Sequence, residues 1–471
     1  MKNLLVRRIL SLVAVFALAL TGQAQVVQFR ATINAAQEAP TASTSAATGS
    51  AIMIYDVAAN TFDLVVTINN LANTATASHL HEAAAGVSGS VVTSLGAEAV
   101  YVRTGNTLSA TFRGVTYGGD KLKLLQNGAY FNLHSAAFPS GEVRGQLIAQ
   151  PKRLYANIDV AQERAAFPAN AGLANLTNMG AAVMTYDPGT NRLNVRISIH
   201  GFANTLTASY FHEAAAGVSG PVSQNLGAGT VANYVIGNGT VTGTFLNLPY
   251  GGDPIKLLTG GAYLNFHSNI NGSGECRGQV LPSEEVLTSR MSNLSARGFV
   301  GAGDQALIAG LSVTGPEPVR VLVTAKGPSL SAFNVSGVLA NPSLALYDSA
   351  GNRVALNDDI GAITAGSELS TLYGIPTNAV ESAVVVVLRP GNYSAVVTGG
   401  SGTGIALVEA YDLRNAANVA AGVSATVAEF NADLRAAAAD SRLAARLPTK
   451  AEIELCGLPT APALAVLTAA R

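Results

Sequence analysis

"SHLHEAAAGVSG", Ser78 to Gly89, returns as "SYFHEAAAGVSG", Ser209 to Gly220. Other stretches return with it. His81 to His212 is a step of 131 residues, and "YGGD" steps by 133 from Tyr117 to Tyr250. "GAYFNLHS" (Gly128 to Ser135) returns as "GAYLNFHS" (Gly261 to Ser268), and "SGEVRGQL" (Ser140 to Leu147) as "SGECRGQV" (Ser273 to Val280). "AAQEAP" (Ala35 to Pro40) corresponds loosely to "VAQERAAFP" (Val160 to Pro168). A period this long is a duplicated domain and not a solenoid unit. The boundary between copies falls near Gln150-Pro151-Lys152.

Each copy reads mainly as strands. "SAIMIYDV" (Ser50 to Val57) and "TFDLVVTINNL" (Thr61 to Leu71) are β-rich runs around a short turn, and "DPGTN" makes the same turn in the second copy. A short helix is expected after each "GGD". Asp120 and Asp253 are N-cap candidates, Pro254 fits the first helical position, and Gly128 is the expected C′ residue. In "YFNLHSAAFPSGEVRGQL" a period of two puts Asn132 and His134 on one face, and Glu142, Arg144 and Gln146 on one face after the turn. The second copy offers Asn265, His267, Glu275, Arg277 and Gln279. An ion-paired, hydrogen-bonded face that fixes the hairpin register is the expected role of this cluster.

Composition sets the class. The chain has 471 residues, 48% hydrophobic and only 12% charged, with 48 Gly and no Trp. That suits short strands and tight turns in about three domains. A formal net charge of −1 argues against a general footprint for nucleic acid or an anionic membrane. Lys2, Arg7 and Arg8, the apolar run Ile9 to Leu20 and Gly22-Gln23-Ala24 read as a secretory signal cleaved after Ala24. The apolar run is too short to favour an anchor, and no later stretch has the length of a membrane span. The two cysteines, Cys276 and Cys456, show no disulfide or zinc spacing. Cys276 stands where the first copy has Val143, so a small buried hydrophobe is its expected role.

With "AQE" near the start, "HLHEAAAGVSG" in the middle and "NLHSAAFPSGEVRGQ" at the end, each copy resembles the CHRD domain, the repeated module first recognised in chordin and found in secreted bacterial proteins. The resemblance covers about Val26 to Ile148 and Leu154 to Leu281. It implies an extracellular β-sandwich-like module and no established catalytic reaction. The second copy departs from the pattern at Tyr210, where the first has His79.

On a strand, His79 and His81 point to one face, and His134 could join them if its strand lies alongside. Zn²⁺ or Cu²⁺ suits such nitrogen ligands. Glu82 is close in sequence, and Glu142 or Asn132 could orient an imidazole from behind. In the second copy only His212 and His267 remain, with Tyr210 a weak substitute. "HLHE" is similar to a copper-ligand strand of copper–zinc superoxide dismutases, but the likeness is short and no zinc-loop cluster accompanies it, so dismutase activity is not expected. The competing reading makes these histidines structural, bonded to backbone or to the Glu/Arg cluster, and the sequence favours it.

From about Ser292 the pattern changes. Strand runs at Val319 to Ala325, Ala383 to Leu388 and Ile405 to Leu413 resemble a β-sandwich module common in large secreted bacterial proteins. Asp348, Asp358 and Asp359 could bind Ca²⁺, though turn chemistry accounts for them more simply. From Asn415 the chain is Ala-rich, and a helix from near Ser424 to Leu447 is expected, ended by Pro448.

The expected organisation is therefore all-β: a signal over residues 1–24, CHRD-like copies over 25–150 and 151–282, a third β-sandwich over 283–414, and a helical or loosely ordered tail over 415–471. Phosphate loops, a nucleophile elbow and HExxH are missing from the sequence. The leading expectation is a secreted, non-enzymatic binding or structural module whose partner is an extracellular protein or surface polymer. The alternatives are an exported metal-binding protein and an enzyme of unknown reaction.

Overall fold

The computed structural model describes residues 25–413, apart from 203, 228–232, 238, 284–292, 304, 362–371, 373 and 401. The signal and tail expectations, and Cys456, lie outside the described residues. The first repeat contributes β1 (Val26–Asn34), β2 (Thr48–Asp56), β3 (Thr61–Asn69), β4 (Ala75–Glu82), β5 (Ser90–Gly96), β6 (Val102–Thr104), β7 (Thr107–Thr116), β8 (Ala129–Ser135), β9 (Val143–Gln146) and β10 (Ile148–Ala149). They form one sheet in the order β5-β4-β8-β9-β1-β2-β3-β7-β6, with β10 continuing alongside β1.

The second repeat gives the same order from β11 (Lys152–Asp159), β12 (Met179–Asp187), β13 (Arg192–His200), β14 (Leu206–His212), β15 (Val222–Gly227), β16 (Tyr234–Gly237), β17 (Thr240–Pro249), β18 (Tyr263–Ser268), β19 (Cys276–Gln279) and β20 (Leu281–Pro282). Alternation explains the packing. Along β1 every second residue, Val27, Phe29, Ala31 and Ile33, is buried, and β2 and β3 bury Met53, Tyr55, Leu64 and Val66. Edge-to-face contacts from Phe29 to Tyr55 and from Tyr55 to Tyr117 tie successive strands together. Cys276 is fully buried in the place of Val143, as expected of a small hydrophobe.

The short helices sit where the caps put them. Helix α1 (Lys121–Leu125) is capped by Asp120, and α2 (Val160–Ala166) by Asp159. Helix α3 (Pro254–Leu258) is capped by Asp253, with Pro254 in its first turn. One detail differs from expectation. The C′ residue of α1 is Asn127, in the left-handed region at φ 61°, and Gly128 follows it. The amides of Asn127 and Gly128 donate to Leu124 and Lys123, closing a Schellman motif one residue earlier than the glycine suggested. The second repeat has Gly260 at this position, φ 77°.

Two four-stranded sheets follow. One is β21 (Asn293–Val300), β28 (Gly404–Asp412), β23 (Val319–Lys326) and β26 (Ser382–Leu388); the other is β22 (Leu307–Val313), β27 (Gly391–Thr398), β24 (Ser343–Asp348) and β25 (Arg353–Asn357). Val321, Val323, Leu344, Leu346, Ala395 and Val408 form the core of this third module. The module docks on the second repeat. The Val387 amide donates to Ser198 Oγ, Asn157 Nδ2 donates to the Pro316 carbonyl, and Arg389 pairs with Asp159 at 3.2 Å. His200, buried in this seam, stands 3.4 Å from Asp348.

Candidate metal centre

The sheet order places β8 between β4 and β9, so residues far apart in sequence become cross-strand neighbours. His79 faces Asn132, Asn132 faces Arg144, and Arg144 faces Asn34. One step along, His81 faces Tyr130 and Tyr130 faces Gln146, while His134 stands opposite Ala77. The His79 and His81 side chains share the face opposite Leu80, which is buried in the core.

The repeated motif is held down on this face. After β4 the "EAAAGVSG" loop turns back over the sheet and offers it carbonyls. Arg144, 1% exposed, donates from Nη1 to Val87 O (2.8 Å) and from Nη2 to Ala84 O (2.9 Å). Its guanidinium lies 3.5 Å from the Tyr130 ring centre. Gln146 Nε2 donates to Ala83 O, and Tyr130 OH accepts from the Gly89 amide. Gly89 cannot be replaced cheaply: an added Cβ would lie 2.2 Å from the Glu82 carbonyl oxygen. "HEAAAGVSG" and "GEVRGQ" therefore recur together because one supplies acceptors and the other donors.

This corrects the expected ion-paired cluster. Arg144 donates to backbone carbonyls and, within the expected face, to Gln146 Oε1 (3.0 Å), but does not pair with Glu142. Glu142 accepts instead from Ser45 Oγ and Asn73 Nδ2. Asn132 donates to Glu38. Burial lifts the Glu38 carboxyl to about 7, against the pull of the Asn132 hydrogen bond and the Arg144 charge. Glu163, its counterpart, is likewise lifted to about 7. In the second repeat Arg277 repeats both carbonyl bonds, to Val218 and Ala215, and lies 3.4 Å from the Tyr263 ring centre, while Glu275 accepts from Asn178 and Asn204.

The three histidines of the first repeat converge. A ring nitrogen of each lies within 4.8 Å of one from each of the others, and among the described residues no other group of three or more His, Cys, Asp or Glu is brought together in this way. Two rings are anchored from behind by carbonyls: His81 Nδ1 is 2.9 Å from Gly89 O, and His134 Nδ1 is 3.0 Å from Pro139 O. A carbonyl can only accept, so each Nδ1 carries the proton and each Nε2 presents its lone pair. Those two Nε2 atoms, and Nδ1 of His79, are buried without a protein partner. Burial, helped by the other imidazoles, holds His79 below its ordinary range. Burial also lowers His81, with His134 and Arg144 acting the same way against the Gly89 bond. Neutral imidazoles with free lone pairs are the form a metal ion needs.

Glu82 does not belong to this group. It accepts from the Asp120 amide (2.6 Å), Lys123 Nζ (3.0 Å) and Tyr117 OH, so it ties "HE" to "YGGD". The anchoring acceptors are backbone carbonyls, not Glu142 or Asn132. Asp348 is spent on its own turn and on His200, accepting from the amides of Ala350 and Asn352. Only the linked recurrence of two distant motifs hinted at the loop carbonyls, whereas Glu38 was marked by the recurring "AQE" without any sign that it meets Asn132.

The second repeat copies the arrangement around a different ring. His212 Nδ1 and His267 Nδ1 are each 2.9 Å from a carbonyl, of Gly220 and Gly272, and both Nε2 atoms are buried without a partner. Tyr210 faces Asn265 as His79 faces Asn132.

The family model described as the CHRD domain matches residues 29–147 and again residues 154–280. No curated protein matches the chain.

Proposed function

The chain belongs to the CHRD domain family, and we propose that it is an exported, non-enzymatic module protein whose first repeat binds a transition-metal ion through His79, His81 and His134. CHRD domains are extracellular-type modules, which supports a role outside the cytoplasm. The basic and apolar N-terminal sequence supports export in the same sense. Among the described residues no helix is long and apolar enough to cross a membrane. An extracellular protein or surface polymer is the class of partner that such a module would meet.

The observation that carries the metal reading is the convergence of three imidazoles with buried, unpartnered nitrogens. Hydrogen-bonded structural histidines account for the two Nδ1 anchors but leave the inward nitrogens without a purpose. Three neutral nitrogens suit zinc or copper and not calcium, which takes oxygen ligands. Bonds of about 2.0–2.1 Å keep two ligands within about 4.2 Å of each other, so the rings draw together on binding. Here the chain's part is to fix the tautomers through Gly89 and Pro139, keep His79 and His81 neutral by burial, and hold β4 beside β8.

The test is a Zn²⁺ titration of the full chain beside His81→Ala and His79→Tyr, with thermal unfolding as a control for folding. Each substitution is expected to weaken the tightest zinc site by on the order of 100-fold. Equal zinc binding by all three proteins would sink the reading.

A further inference from the structure

The second repeat keeps a site while changing its chemistry. Tyr210 lies 5.7 Å from His212 and 5.2 Å from His267, ring centre to ring centre. His79 lies 5.5 Å from His81 and 5.2 Å from His134. The two histidines stand 6.0 Å apart in either repeat, and the ring stacked behind, Tyr263 or Tyr130, is 4.9 Å away in both. A phenol has therefore taken the corner of an imidazole within an unchanged frame. His212 is 8% exposed, its anchor to Gly220 is intact, and its Nε2 meets no protein partner.

We infer that the second repeat is a second metal site of different composition, in which His212 Nε2, His267 Nε2 and the Tyr210 oxygen hold a divalent copper ion. This rests on the metal reading of the first repeat, because the shared frame is its basis. A phenol coordinates as phenolate, releasing its proton to water. It brings one negative charge and an oxygen donor, where His79 brings a neutral nitrogen. The first repeat is then an uncharged three-nitrogen set and the second an anionic set of two nitrogens and one oxygen. Copper(II) stands above zinc in affinity for nitrogen and oxygen ligands. The phenol oxygen also stands farther from its ring centre than an imidazole nitrogen does, so the ion sits farther from the Tyr210 ring than from the histidine rings.

The experiment is a Cu²⁺ titration of the full metal-free chain, followed by visible absorption and electron paramagnetic resonance. Two equivalents per chain are expected, one of them with a phenolate-to-copper charge-transfer band. Tyr210→Phe removes the band and leaves the first site; His81→Ala leaves the band and removes the other signal. Tyr210→His keeps two equivalents without the band, which separates a lost ligand from a lost fold. A missing band, or one that survives in Tyr210→Phe, overturns the inference. If only the first repeat takes copper, this inference falls alone. If neither does, both readings fall. If the band forms while the first repeat binds nothing, the first reading falls and the shared frame with it, and the second site then stands on the band and its loss in Tyr210→Phe alone.

Discussion

In the first repeat His79, Asn132, Arg144 and Asn34 stand in one cross-strand row; in the second the row is Tyr210, Asn265, Arg277 and Asp159. The middle of the row is unchanged and both ends differ. The middle carries the arginine that pins the loop, the same work in either repeat. One end supplies the third ring of the histidine site. The other end faces the third module in the second repeat, where Asp159 meets Arg389. Duplication has thus preserved the contacts that hold the fold and varied the places where the sheet meets something else.

The most severe way to break this comparison is at its centre. Arg144→Ala removes the donors to two loop carbonyls and the group stacked on Tyr130. Leaving buried acceptors unpaired costs about 1–3 kcal/mol each, and the void left by a large side chain adds to that. A total loss of about 3–5 kcal/mol is expected, read from urea denaturation, and Arg277→Ala should match it. Metal binding at the first repeat should fall as well, because Gly89, the anchor of His81, belongs to the released loop. A loss below about 1 kcal/mol would mean that the loop holds itself in place.

Next in size is an exchange at the variable end. Tyr210→His rebuilds the three-imidazole set in the second repeat, and His79→Tyr dismantles it in the first. Zinc stoichiometry by equilibrium dialysis should rise by one equivalent in Tyr210→His and fall by one in His79→Tyr, with affinity changes on the order of 100-fold. If Tyr210→His gains nothing, the frame around the ring, and not the ring alone, distinguishes the repeats.

The architecture was largely legible in the sequence because duplication marked it. A motif that returns after 131 residues with a neighbour that returns after 133 fixes two copies of one fold. The alternation of polar residues along β8 placed Asn132 and His134 on one face. The convergence of His134 with His79 and His81 depends on β8 lying beside β4, and strand order is set by packing that no local pattern encodes. The partners of Arg144 escape the local pattern for a related reason. An arginine two residues from a glutamate suggests an ion pair; the alternation does place its partner Gln146, but its two other acceptors are backbone carbonyls, which every residue carries and no side-chain pattern reveals. Asn127 ends the helix one residue before the glycine that is the commoner sign, because asparagine also tolerates the left-handed conformation.

A third test asks whether the shared middle behaves alike in both repeats. The Glu38 carboxyl titrates at about 7 in the fold, against an ordinary value of 4.5. Between these values the folded chain keeps a proton that the unfolded chain has lost. The protonated carboxyl therefore favours the fold below 4.5, and that advantage is lost as pH rises through about 7. Glu38→Gln, which cannot ionise, should stabilise the chain by on the order of 2 kcal/mol at pH 8 and show no such gain at pH 4. Glu163→Gln should do the same. Urea midpoints at the two pH values decide it: a pH-independent gain would trace the effect to packing and not to the buried charge.

The smallest expected effect lies at the far end of the row. Asn34 accepts from the Gln37 amide at 3.1 Å, and Asp159 from the Gln162 amide at 2.8 Å, so both cap the turn that follows. Only Asp159 adds a charge, which its other oxygen turns toward Arg389. Asp159→Asn should keep the cap, since asparagine does this work in the first repeat, and lose the ion pair together with the 3.2 Å bond that Oδ2 accepts from Gln162 Nε2. Both partners are partly exposed, at 17% and 26%, and Arg389 retains its bond to the Ile158 carbonyl. The cost should stay below about 1 kcal/mol and shrink further in high salt. Urea unfolding of the full chain at low and high salt measures it. A loss well above 1 kcal/mol that salt does not reduce would show that the two caps are not equivalent, and that the third module depends on the second repeat through this aspartate more than its exposure suggests.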